Sequence, residues 1–190
     1  MKKTIIIIAI SALAVLWGVK SYNNLVRLDE SVSSSWSQVE NVYQRRADLI
    51  PNLVATVKGY AEHESETLEA VVKARAAATQ TNISDLSEES VKNFQAAQGQ
   101  LSSALSRLIA VVENYPDLKA NENFKDLQAQ LEGTENRIAE ARRSFNETAK
   151  TYNTEVRSFP ANIIASIFKF QTKGYFTADE GASAAPKVQF

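Results

Sequence analysis

The 190-residue chain has no cysteine and a single histidine, His63. That excludes disulfides, thiolate chemistry and any zinc site built from Cys and His. A Ser–His–Asp triad would have to use His63, and no GxSxG turn accompanies it. Six glycines and four prolines are too few for a β-rich fold full of tight turns. Neither sign of charge is in excess, with 21 Lys and Arg against 22 Asp and Glu, so no basic patch points to a nucleic-acid partner. Metal chemistry is left to carboxylates, and Glu113, Glu135 and Glu140 are never joined by the Glu-x-x-His pattern of di-iron bundles. The inventory reads as a protein without cofactor, metal or catalysis.

What is present begins with MKKTIIIIAISALAVLWGVK, a basic start and then sixteen residues, Thr4 to Val19, without a charge. At ~1.5 Å per residue such a run spans about 24 Å, against a hydrocarbon core of about 30 Å. Ala12-Leu13-Ala14 offers a signal-peptidase site, but cleavage there would leave Val15-Leu16-Trp17 at the new terminus. As an anchor the segment is short but furnished. Lys3 and Lys20 can snorkel, and Trp17 and Tyr22 suit an interface. The helical pattern also runs on past Lys20 with no turn signal, which favours a retained single-pass anchor over residues 1–20 that meets the lipid bilayer through residues 4–19. Lys2, Lys3 and the α-amino group precede the span, so the positive-inside rule favours an exported body.

Residues 21–171 read as helix after helix. Leu25, Val32, Val39, Arg46, Leu53 and Tyr60 form one row at seven-residue spacing, with Asp29, Trp36, Tyr43, Ile50, Val57, Glu64 and Val71 as the companion row. This predicts one long helix packed along a seam, from the membrane to about Ala78. TQTNISDLSEE interrupts the rhythm, with Asn82, Ser84 and Ser87 as candidate N-caps. A second helix carries Val91, Phe94, Leu101, Leu105, Leu108 and Val112 and stops before Pro116. A third carries Phe124, Leu131, Ile138, Phe145, Tyr152 and Val156 up to Pro160, a short apolar element follows over Ile163–Phe170, and residues 172–190 read as an extended tail. The fold class is therefore all-α: an elongated up-down antiparallel bundle of three long helices plus a short C-terminal one, with an N-terminal transmembrane helix.

Several residues stand out against this pattern. Pro51 sits inside the helical rhythm just after the Arg45-Arg46-Ala47-Asp48 cluster. The seam keeps its phase through it, so Pro51 reads as a kink that frees the carbonyl of Ala47, with Arg45, Arg46 or a third-helix side chain to satisfy it. Arg46 and Glu64 fall on apolar rows, where charge is costly unless paired. They line a binding groove or pair with third-helix charges such as Glu135, Glu140 or Arg142, and pairing is favoured. His63 lies between Glu62 and Glu64 and reads as an exposed side chain. The dyads Tyr22-Asn23, Phe145-Asn146 and Tyr152-Asn153 place asparagines beside the seam, the last two one heptad apart, as devices that fix register. At the C-terminus, Val188 and Phe190 in PKVQF suit strand addition to a carboxylate-binding partner domain.

The stretches YNNLV (22–26), Trp36, QRRADLIPNLVATVKGYAEHE (44–64), VVKAR (71–75), ENYPDLKANENF (113–124), LEGTENRIAEARRSFN (131–146), YNTEVRSFP (152–160) and the closing YFTADEG and PKVQF resemble the LemA family. The resemblance runs in order over nearly the whole chain. It implies a bacterial membrane-anchored protein with an elongated helical body, and it supplies no catalytic residues. Members look like envelope or scaffold proteins, sometimes encoded near membrane proteases and other membrane proteins, which become the expected partners. With the resemblance, the sequence points to a self-associating scaffold or adaptor. Its rival is a ligand- or peptide-sensing bundle with a groove near Arg46 and Glu64.

Overall fold

The computed structural model describes residues 2–61, 63–81, 83 and 85–178. Among them the chain forms α1 (Lys2–Lys58), α2 (Ser65–Gln80), α3 (Glu88–Val112), α4 (Pro116–Ala120), α5 (Glu122–Arg157) and α6 (Ala161–Ile167), with no strand. The all-α bundle is the architecture the periodicity implies, and its most extensive pairing joins α1 to α5. Asn24 meets Glu155 near the N-terminal end of this pair and Arg46 meets Glu135 farther along, so α5 runs antiparallel to α1. Helices α2 and α3 form a second antiparallel pair laid against the distal half of α1.

The seam of α1 is buried as its heptads require. Leu25, Val32, Val39, Ile50, Leu53 and Val57 are fully covered, with Trp36 and Tyr43 nearly so. The expectation of one helix to Ala78 is corrected: α1 ends at Lys58, and a turn that begins at Gly59 sends α2 back along it from Ser65. Gly59 opens that turn, and Tyr60 and Ala61 both donate to the Val57 carbonyl as the helix terminates. Folding back buries Leu68, Val71 and Ala78, which a straight continuation would have left without a partner. The seven-residue rhythm survives because Val71 returns to the same core after the turn, while Tyr60 drops out of its row and is 45% exposed. Three expected long helices thus become four packed ones.

Caps set the other boundaries. Ser87 is the N-cap of α3 and its hydroxyl accepts from the Ser90 amide at 3.2 Å; Asn82 and Ser84 lie outside the described residues. Pro116 begins the separate five-residue α4, and Asn121, accepting from the Phe124 amide at 3.0 Å, starts α5. A cis Phe159–Pro160 bond separates α5 from α6.

The core divides in two. Toward the N-terminal end it is aromatic, built from Trp36, Tyr43, Phe94, Phe145, Tyr152 and Phe176. Toward the distal end it is aliphatic, with Ile50, Leu53, Val57, Leu101, Leu105, Leu108 and Leu131 around one ring, Phe124.

Helix α1 passes through Pro51 unbroken, and the carbonyl of Ala47 is satisfied from α2, where Arg75 Nε donates to it at 2.7 Å. The partner is therefore not Arg45, Arg46 or a third-helix residue. Removing this donor from a partly buried carbonyl costs about 1–3 kcal/mol. Arg75→Met should destabilise the chain by that amount, read from denaturant unfolding in detergent. In a Pro51→Ala background the loss should shrink to a fraction, because the new amide at residue 51 can take over the Ala47 carbonyl.

Candidate functional site

Arg46 occupies the boundary between the two cores and is only 1% exposed. The heptad position drives its guanidinium into the bundle, where α3 and α5 supply acceptors. Nη1 donates to Glu135 Oε1 at 2.7 Å and to Ser102 Oγ at 2.8 Å, and Nη2 donates to Gln98 Oε1 at 2.6 Å. Gln98 in turn donates from Nε2 to the Ala78 carbonyl of α2 at 3.3 Å, and the guanidinium lies 5.0 Å from the Tyr43 ring centre. One cation thus ties all four packed helices at a single level. Arg46 Nε finds no hydrogen-bond partner among the described residues. An open cleft of about 950 Å³ lies over this cluster, with Lys92, Arg107, Glu135 and Arg142 along it and Thr177 and Ala178 at one end.

The remaining members of the expected polar seam disperse. Arg45 and Asp48 are exposed, and Asp48 accepts from Gln44 at 2.8 Å. Glu64 has its own partner, the Tyr115 hydroxyl at 2.8 Å, in the turn region at the far end of α1. Glu140 pairs with Arg143 at 2.7 Å on the exposed face of α5. Arg142 donates to the Thr177 carbonyl at 2.9 Å and stands over the Phe176 ring. Arg46 and Glu135 are brought together as paired charges; Arg46 and Glu64 are not one groove.

The second constellation lies on the segment expected to begin a free tail. Residues 171–178 belong to no helix or strand, yet Lys173–Thr177 lie in a groove between α3 and α5, and Phe176 enters the aromatic core at 5% exposure. Phe176 stacks on Trp36 with centroids 5.8 Å apart and meets Phe145 edge-on at 5.6 Å. The grip on the main chain comes from side-chain amides. Asn153 accepts from the Lys173 amide and donates to its carbonyl, both at 2.8 Å. Asn146 does the same for Phe176 at 2.9 and 2.8 Å, and Gln95 for Thr177 at 3.0 Å each way. A carboxamide has a donor and an acceptor side by side, which matches the N–H and C=O that one extended residue turns to one side. Gly174 donates to the Leu86 carbonyl at 2.8 Å, and a Cβ there would stand 2.7 Å from the Glu88 Cα. Lys173 closes the segment with an ion pair to Asp29 at 2.7 Å and lies over the Tyr152 ring, whose hydroxyl is pushed up to about 12 by burial and, after it, by the Asp29 charge.

The heptad repeat of Phe145-Asn146 and Tyr152-Asn153 pointed to half of this site, though as register devices between helices. Gln95 and Phe176 were missed. The signal that existed was Gly174 followed by two aromatic residues, Tyr175 and Phe176. Val188 and Phe190, read as a partner-binding tail, lie outside the described residues.

Gln98→Leu strands part of a buried guanidinium together with the Ala78 carbonyl and should cost about 2–4 kcal/mol. Glu135→Gln should cost less, because Glu135 is half exposed and the replacement still accepts; thermal unfolding by circular dichroism in detergent orders the two. In the groove, Phe176→Ala should cost about 3–5 kcal/mol as a core truncation. Gly174→Val should release the segment without touching the aromatic pocket, seen as rapid proteolysis after residue 170 and a changed Trp36 emission.

The family model described as "LemA family" matches residues 35–190. The chain is 31% identical over 174 residues to magnetosome protein MamQ 2 of Paramagnetospirillum magneticum, covering 82% of this chain and 64% of that protein. It is 29% identical over 174 residues to magnetosome protein MamQ of Magnetospirillum gryphiswaldense, with the same coverage of 82% and 64%. It is 23% identical over 158 residues to protein LemA of Metamycoplasma hominis, covering 83% of this chain and 69% of that protein. The match thus spans under two thirds of the MamQ relatives' length. The family match takes in the Arg46 layer, the amide-lined groove and the segment that fills it: the chain belongs to the LemA family.

Proposed function

We propose that the chain is a membrane-anchored helical scaffold or adaptor of the bacterial cell envelope, which self-associates and catalyses no reaction. The observation that carries this reading is α1. One unbroken helix holds an apolar stretch, Ile5 to Val19, that is exposed on nearly every side, and then the seam on which the rest of the bundle packs. An apolar helix exposed all round calls for lipid around it, and its continuity into the seam holds the body rigidly to the bilayer. Lys2, Lys3 and the α-amino group before the span support a body on the extracytoplasmic side. Several copies held by one membrane would meet partners with avidity, and envelope membrane proteins or proteases are the partners the family resemblance suggests.

A second reading, a peptide-sensing bundle, has its own support. The groove of Gln95, Asn146 and Asn153 reads main chain rather than side chains, and its aromatic pocket takes one ring. The sensing site then moves away from Arg46 and Glu64 to this groove.

The readings separate in two measurements. Light scattering of the intact chain in mild detergent should give a protein mass several times one chain, and crosslinking in native membranes should give the same ladder. A monomer at every concentration would sink the scaffold. For the sensor, the full-length Gly174→Val chain is given a synthetic peptide of residues 171–178; its melting temperature should rise with peptide concentration by mass action. No shift at saturating peptide would exclude the groove as a site for peptides supplied from outside.

A further inference from the structure

Beyond residue 19, eight large apolar side chains are exposed among the described residues, and the four most apolar of the α5–α6 region gather in one place. Phe159 is 81% exposed, Ile167 65%, Phe168 56% and Ile163 47%, and all four belong to the α5–α6 corner and α6 itself. Ala161 and Ala165 turn the other face of α6 into the body, so Ile163 and Ile167, one helical turn apart, form an outward apolar stripe. The stripe is not covered by any of the described residues.

Its position is set by α1. A Cβ at Gly18 would stand 3.7 Å from Ile164 Cδ1, which puts α6 level with the last turn of the apolar run. Phe168 reaches Tyr22 with ring centroids 4.7 Å apart, and Phe159 shares a cleft with Trp17 and Lys20. The corner therefore occupies the depth between Gly18 and Tyr22, about 6 Å along the axis at 1.5 Å per residue. The uncharged run of Thr4–Val19 falls short of a ~30 Å hydrocarbon core by about 6 Å, and the rise from Val19 to Tyr22 beside the corner supplies about 4.5 Å of it. Lys20, Arg27 and Glu155 line the cleft beside Phe159, and Arg157 and Lys169, both exposed, flank the corner along the chain, so cations suited to headgroups stand near it.

We propose that the α5–α6 corner is a membrane-docking platform: Phe159, Ile163, Ile167 and Phe168 enter the bilayer interface beside the anchor, complete its short span and fix the posture of the bundle on the membrane. The occupant is lipid, because the patch is continuous with the apolar surface of α1 at the depth where acyl chains meet headgroups. The proposal rests on the reading of residues 4–19 as a retained span, and the test keeps the two apart.

The absence of native cysteine makes site-directed labelling clean. Full-length Ile10→Cys, Ile163→Cys, Ile167→Cys and Val72→Cys chains, each with an environment-sensitive fluorophore, are reconstituted in phosphatidylcholine–phosphatidylglycerol vesicles. Ile10 samples the span, and Val72 is an exposed site on α2, far from it. Labels at 163 and 167 should emit to the blue of the label at 72. They should also be quenched several-fold more by brominated lipid and several-fold less by aqueous iodide. Lipid quenching at 10 with iodide access at 163 and 167 equal to that at 72 overturns the platform and leaves the anchor standing. Protection at 163 and 167 from both quenchers assigns the patch to a protein partner and overturns the lipid assignment. Loss of lipid quenching at 10 overturns the anchor, and the platform with it.

Discussion

The antiparallel packing of α5 on α1 is the constraint on which everything else hangs. It places Glu135 opposite Arg46 and Glu155 opposite Asn24, and it brings the C-terminal end of α5 back beside the start of the seam. Only because α5 returns there can α6 lie against Gly18 and the extended segment climb back along α5 into the aromatic core. An α5 out of register by one helical turn would misplace the Arg46 pair, the asparagine grips and the α6 corner together.

Two kinds of polar device hold that register. The Arg46 layer works between helices and separates the aromatic half of the core from the aliphatic half. A buried charge of this sort adds little net stability, since desolvation offsets most of the attraction, but misplacing it is costly, so it selects one alignment. The carboxamides of Gln95, Asn146 and Asn153 work between helices and main chain, where an extended segment would otherwise leave its N–H and C=O groups unpaired against the bundle. Phe176 supplies the apolar burial and the amides supply the alignment.

Much of this was legible in residue order. The rows through Leu25, Val32, Val39 and Leu53 and through Phe145, Tyr152 and Val156 are the buried faces of α1 and α5, and Pro116 and Ser87 mark real boundaries. That Arg46 pairs with a counter-charge on the last long helix was readable because charge on an apolar row needs one, but the choice of Glu135 over Glu140 was made by the packing. The break after Lys58 was not readable, because a seven-residue rhythm that resumes in phase after a turn looks the same as a helix that never stopped. Arg75 as the partner of the Ala47 carbonyl was hidden for the same reason: on a continuous helix it could never have faced residue 47.

The sequence by itself determined the local terms: which faces are apolar, where caps fall, where the uncharged run begins and ends, and which chemistries lack their residues. These follow from periodicity and composition, which act over a few residues. The tertiary structure alone decided what Asn146 and Asn153 hold, that Phe176 is core rather than tail, and that α6 stands level with Gly18. Side chains that grip a main chain leave no pattern in the segment they grip, since every residue there offers the same N–H and C=O. A contact between residues far apart in sequence has no local signature until the chain has closed the loop between them.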